Sequence, residues 1–170
     1  KKGLQELKRM LEAHEGSCDL AIKDGVLFAR HGAIVLSVRL IDSRFPPYEK
    51  VIPAACEKKV LVDRKLLMDA LKRAAIMSED RNKGVRVILA PQKLVLEAET
   101  PETGEAHEEL EVDYEGTTLK IGFNAGYLIE ALMRVEGDEV FVEFNEELDP
   151  CVLRPVGSDN FLGVVMPLRL

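Results

Sequence analysis

Three prolines in one short segment decide most about how this chain can fold. Residues 42–53 read Asp42, Ser43, Arg44, Phe45, Pro46, Pro47, Tyr48, Glu49, Lys50, Val51, Ile52 and Pro53. A proline has no backbone N–H and holds φ at about −65°, so this segment suits neither a helix interior nor a central strand. It reads as an extended linker between packed units. The 170 residues are enough for one large core or two small ones. The domain boundary is placed at the linker, separating residues 1–49 from 50–170.

Hydrophobic spacing supplies the elements on either side. Residues 2–13 predict a helix whose Leu4, Leu7, Met10 and Leu11 share one apolar face. Strands follow at 19–22, 26–30 and 34–41. Asp24-Gly25 is a hairpin signal, and His31-Gly32 marks a second turn. Apolar residues on both faces of 34–41 predict a mostly buried strand. After the linker a strand at 56–62 leads into a helix at 63–76. Asp63 is its N-cap, Leu66, Leu67, Ala70, Leu71 and Ala74 face inward, and Asp69 and Arg73 are spaced for an ion pair. Strands at 84–90, 93–99, 106–113 and 117–122 precede a helix at 125–135. Asn124 caps that helix, with Tyr127, Leu128, Ala131 and Leu132 inward. Two or three strands close the chain. A helix followed by several short strands thus recurs about every 60 residues. The fold class is α+β, with repeated helix-plus-antiparallel-strand units.

The last seven residues are Val164, Val165, Met166, Pro167, Leu168, Arg169 and Leu170. The β-branched pair reads as a strand that Pro167 interrupts, and Leu168 and Leu170 point opposite to Arg169 in an extended chain. Two readings are open: this run packs into the core, or it lines a surface pocket for a partner.

Charge is unevenly spread. The net value is −7, yet the first helix carries Lys1, Lys2, Lys8 and Arg9 against two acids, and the second carries Arg64, Lys65, Lys72 and Arg73 against two. Nine acids and no Lys or Arg lie between Val95 and Leu119. If the helices share a face, the molecule has one basic and one acidic surface, suited to loose, sequence-indifferent contact with phosphates. Two ordinary solvated helices would look the same. His14, His31 and His107 have no metal-ligand spacing, and no nucleophile elbow, P-loop or dinucleotide fingerprint is present. Cys18, Cys56 and Cys151 are far apart and are expected as small buried residues in a reducing compartment. No catalytic residue, cofactor or metal is expected. No signal peptide or bilayer-length apolar run is read, so a cytoplasmic location is expected.

One series of residues resembles a known family. Arg44-Phe45-Pro46-Pro47-Tyr48, Val51-Ile52-Pro53, Gly84-Val85-Arg86, Ile121-Gly122-Phe123-Asn124 with Tyr127, and Val165-Met166-Pro167-Leu168-Arg169-Leu170 resemble, in order, the bacterial β sliding clamp, the processivity subunit of DNA polymerase III. The resemblance implies a head-to-tail dimeric ring, with helices on one face lining a central hole and sheets on the other, of which this chain covers the second half of the middle domain and the whole third domain. A closed ring is not expected from this fragment.

The resemblance also implies site residues. Its peptide-binding pocket falls on Pro46, Lys50, Val51, Asn124, Tyr127, Leu148, Pro150, Val164, Val165, Met166, Pro167, Leu168, Arg169 and Leu170. Lys50 stands where the family commonly has arginine, a point charge in place of a planar fork. DNA would be faced by Lys2, Lys8, Arg9, Lys65, Lys72, Arg73, Arg81 and Lys83, and a second protomer by Ile76, Met77, Glu102 and Glu105. The partners implied are duplex DNA, polymerase and clamp-loader subunits bound through short linear motifs, and a second copy in the full-length homodimer. Read without the resemblance, an α+β peptide-binding protein with no DNA role and a hydrolase of unfamiliar type are the alternatives.

Overall fold

The computed structural model describes residues 2–13, 15–42, 47–78, 83–100 and 104–169. The chain divides into two compact units, Lys1–Pro46 and Pro47–Leu170.

In the first unit, helix α1 (Lys2–Glu12) packs on an antiparallel sheet of β1 (Asp19–Lys23), β2 (Val26–His31) and β3 (Ile34–Arg39), with β2 central. Asp24 and Gly25 both take positive φ, as a two-residue hairpin turn requires. Gly3 is needed for close approach, because a Cβ there would run into the Val38 side chain. Met10, Ala29 and His31 are buried, but Leu4, Leu11, Leu20, Ile22 and Ile34 are exposed. The single apolar face expected for α1 is therefore only partly covered, and β3 is not a mostly buried strand. One helix has too little surface to shield a whole three-stranded face, and β3 is an edge.

The second unit holds two halves of like order. The first runs β4 (Lys58–Asp63), α2 (Arg64–Ile76), β5 (Gly84–Ala90), β6 (Lys93–Thr100) and β7 (Gly104–Glu111). The second runs β8 (Leu119–Asn124), α3 (Ala125–Leu132), β9 (Glu139–Phe144), β10 (Cys151–Pro155) and β11 (Gly163–Val165). The two sheets are antiparallel, with orders β7-β6-β5-β8 and β11-β10-β9-β4. Each half therefore lends its leading strand to the other half's sheet: β4 pairs with β9, and β8 with β5. Leu67, Ala70, Leu71 and Ala74 of α2 and Ala125, Leu128 and Leu132 of α3 join the inward residues of both sheets in one core, where Phe123 and Phe144 meet at 6.4 Å.

Helix starts repeat the same chemistry. Asp63 accepts a hydrogen bond from the Leu66 N–H at 2.8 Å and Asn124 one from the Tyr127 N–H at 3.2 Å, each satisfying an orphan donor of the first turn. Leu66 and Tyr127, expected inward, are 58% and 62% exposed. Both are third residues of their helices, about 100° ahead of the buried stripe, and lie on its flank.

Other boundaries shift for local reasons. Helix α3 stops at Leu132 rather than 135, because Arg134 and Val135 donate to Ala131 and Leu132 in a tightened last turn. Strands expected at 106–113 and 117–122 begin and end two residues differently, at Gly104–Glu111 and Leu119–Asn124. Between them the Tyr114 hydroxyl donates to the Thr117 carbonyl, and its ring fills the space where a Cβ on Gly116 would sit. The linker is not wholly extended: 48–50 forms a 3₁₀ turn, for which Pro47 at φ −69° is already suited.

Candidate functional site

The terminal run threads between sheet edges. β11 pairs with β10, Val165 opposite Cys151, and Pro167 then ends the ladder. The next N–H, of Leu168, donates to the Gly122 carbonyl of β8 at 2.7 Å. The chain thus passes from the edge of one sheet to the edge of the other, beside α3, which packs on both β8 and β11. The two readings of the run divide residue by residue. Val165 belongs to the core; Val164, Pro167 and Leu168 are half-buried; Met166 is 55% exposed and Arg169 is exposed. Ala125 N–H donates to the Lys83 carbonyl at 2.8 Å at the start of α3, and Tyr127 in its first turn is exposed.

The linker and the turn after β9 present further exposed side chains. Lys50 and Val51 N–H groups donate to Pro47 and Tyr48 carbonyls, each at 3.0 Å, and Tyr48, Lys50 and Val51 are exposed. Leu148, 64% exposed, rides a turn in which Asp149 N–H donates to the Glu146 carbonyl and Glu146 N–H to the Asp149 carboxylate. Pro150 is half-buried and leads straight into β10. Because Cys151 faces Val165, Pro150 and Met166 stand at matching ends of β10 and β11. Tyr48, Val51, Tyr127, Leu148 and Met166 are exposed apolar or aromatic side chains; Lys50 and Arg169 are exposed, and Asn124 is half-buried. Pro46 and Leu170 lie outside the described residues.

The basic residues are more neutralised than their spacing suggests. On α1, Lys8 pairs with Glu12 at 3.4 Å and Arg9 with Glu6 at 3.0 Å. On α2 the expected Asp69–Arg73 pair is replaced. Lys72 takes Asp69 at 3.0 Å, and Arg73 forks onto Glu108 of β7 at 2.8 and 2.6 Å. The hydrogen bond from Lys72 holds the Asp69 carboxyl below its ordinary range, and that from Arg73 does the same to Glu108. Among the described residues Lys2 and Lys83 form no ion pair, and Lys65 is exposed. Arg81 lies outside them.

Ile76, 73% exposed, and the half-buried Met77 end α2, and Glu105 is exposed on β7, an edge strand. Glu102 lies outside the described residues. No catalytic constellation is assembled among those described. His31 Nδ1 is bonded to the Ser17 carbonyl at 2.8 Å, and His107 lies 3.6 Å from Glu97 and 4.0 Å from Glu109. No group of three His, Cys, Asp or Glu is arranged for a metal among them. Only Cys151 is buried, and that burial pushes its thiol far up; Cys18 and Cys56 are half-buried, against expectation. Among the described residues no helix is long and apolar enough to cross a membrane. Asn145, which bonds Ala55 and Glu57, and Lys58, which bonds the Asn145 carbonyl, are not singled out by the sequence, because no local spacing relates them.

Residues 49–169 match a family model described as DNA polymerase III beta subunit, C-terminal domain. A curated Beta sliding clamp of Pseudomonas putida is 37% identical over 170 residues, 100% of this chain and 46% of the relative. The chain therefore spans about half the length of the curated relatives it matches. Among solved structures, Caulobacter crescentus pol III beta matches with a TM-score of 0.85 and 31% identity, over 99% of this chain and 46% of that one. A DnaN sliding clamp (DNA polymerase III subunit beta) from Pseudomonas aeruginosa bound to griselimycin matches with a TM-score of 0.80 and 34% identity, over 99% and 46%. The family and the α+β fold expected from the residue series are those matched.

Proposed function

Since the chain belongs to the DNA polymerase III beta subunit family, we propose that it serves in a DNA sliding clamp, a non-catalytic ring around duplex DNA in the bacterial cytoplasm that tethers the replicative polymerase. In this reading Pro47–Leu170 is the third clamp domain and Lys1–Pro46 the second half of the middle one. Polymerase and clamp-loader subunits dock through short linear motifs on the surface around Val51, Tyr127, Leu148 and Met166. Ile76, Met77 and the β7 edge meet a second protomer. DNA passes the basic sides of α1 and α2 without base readout.

The observation that carries this reading is the path of residues 164–169. They leave the core at Val165, expose Met166 and tie back to β8 beside the first turn of α3. A patch of apolar side chains with a few polar groups at its border is what a short motif needs. Met166 adds an adaptable contact that can serve several partners.

The test is fluorescence anisotropy with a labelled peptide bearing a glutamine and a C-terminal Leu-Phe pair. We expect saturable binding that Tyr127→Ala weakens at least tenfold, that deletion of 166–170 abolishes, and that griselimycin displaces. Unchanged affinity after the deletion would remove the terminal run from the site.

A further inference from the structure

We propose that Asn145 is a positioning residue for peptide docking. It fixes the linker turn that carries Lys50 and Val51 to the turn that carries Leu148 and Pro150. This rests on the docking reading above.

Asn145 directly follows β9 and is half-buried. Its Oδ1 accepts the Glu57 N–H at 2.8 Å and its Nδ2 donates to the Ala55 carbonyl at 3.0 Å. The backbone ladder between β4 and β9 stops at Lys58 and Phe144. Beyond that point the carboxamide takes over, grasping the opposite backbone on two groups at once. Asn145 is itself held, since its own carbonyl accepts from Lys58 Nζ at 3.0 Å, a side chain only 11% exposed.

The geometry couples two turns. Upstream of the grasp, residues 52–54 alone separate Ala55 from Val51. One of them is Pro53, and Ile52 and Pro53 are half-buried. A tether this short and stiff passes the restraint on to the 3₁₀ turn. Downstream, Asn145 opens the segment whose 146–149 turn presents Leu148. Loss of both bonds frees the linker turn while leaving every proposed contact residue in place. Affinity then falls because the turn must be ordered on binding.

The experiment combines backbone relaxation with a double-mutant cycle. In Asn145→Ala we expect order parameters of residues 48–52 to drop from about 0.85 toward 0.6, and peptide affinity to fall about tenfold. In a Val51→Ala background the same change should cost no more than about twofold, because the turn it positions is already blunted; in Met166→Ala it should keep its full effect. Pro53→Gly leaves both Asn145 bonds but loosens the tether. It should reproduce both losses, and it serves if Asn145→Ala fails to fold. Unchanged order parameters, full additivity with Val51→Ala, or a neutral Pro53→Gly would overturn the proposal and leave Asn145 as a cap on the β4–β9 ladder. If the wild-type chain binds no peptide, the docking reading fails. Faster motion at 48–52 in Asn145→Ala would still support the tether, and unchanged motion would still overturn it.

Discussion

The backbone N–H of Leu168 reaches the carbonyl of Gly122 at 2.7 Å and joins two sheets that share no backbone rung. Proline at 168 removes the donor. Leu168→Pro should cost about 1 kcal/mol of stability and should weaken peptide binding at least tenfold, since Met166 loses its anchorage. Thermal melts alongside anisotropy separate the two effects. A variant that loses stability but keeps full affinity would show that the tie does not shape the docking surface.

The matched caps allow a second prediction. Asp63→Ala and Asn124→Ala should each destabilise the chain by about 1 kcal/mol, the usual worth of a side chain closing a helix N-terminus. Denaturant midpoints with an unchanged slope would record it. Only Asn124→Ala should also reduce peptide affinity, because only α3 begins at the proposed site.

Acid titration probes the Arg73–Glu108 fork. The Arg73 hydrogen bond holds Glu108 below its ordinary value. A carboxyl lowered in the folded state stabilises fully above its unfolded pKa, about 4.3, and loses that contribution as pH falls through the folded value. Glu108→Gln should therefore shift the denaturant midpoint downward at pH 7 by a small amount and leave it unchanged near pH 2. A midpoint difference that persists in acid would assign the effect to packing instead.

Salt dependence tests the basic faces. Duplex binding by this chain should be weak, indifferent to sequence and steeply salt-sensitive. Lys2→Ala, Lys65→Ala and Lys83→Ala should each reduce the slope of log K against log salt by about one at most. Arg73→Ala should change it little, because Glu108 already occupies that guanidinium. Two unrelated duplexes at low and moderate salt suffice, and tight sequence-selective binding would oppose a clamp.

Local chemistry was the legible part of this sequence. The Asp24-Gly25 hairpin and the Asp63 and Asn124 caps each follow from one residue and its neighbours, and each stands where expected. What failed depends on what lies across space. Arg73 was matched to Asp69 along its own helix, but a strand far downstream offered Glu108 a better fork. Burial of β3 was read from its apolar content, yet burial is set by how much of a neighbouring layer reaches it. Tyr127 and the terminal run enter the proposed site through the family pattern. Asn145 does not, because its partners lie 88 and 90 residues away in sequence.

The exchange of leading strands has a consequence for how the second unit comes into being. Lys58 finds its rung only at Phe144, and Gly84 only at Asn124. On a ribosome, β4 emerges long before β9 and waits with both of its edges unsatisfied, while β5, β6 and β7 can zip locally as they appear. Closure of such long loops is slow relative to hairpin formation. The last step is then the knitting of β4 to β9, and with it the ordering of Asn145 and the linker. Before that step an early hairpin sheet exists with no mate. After it, neither half can be removed without stripping a strand from the other, so the unit should melt in a single transition and a nick near residue 116 should leave two pieces that fold only together.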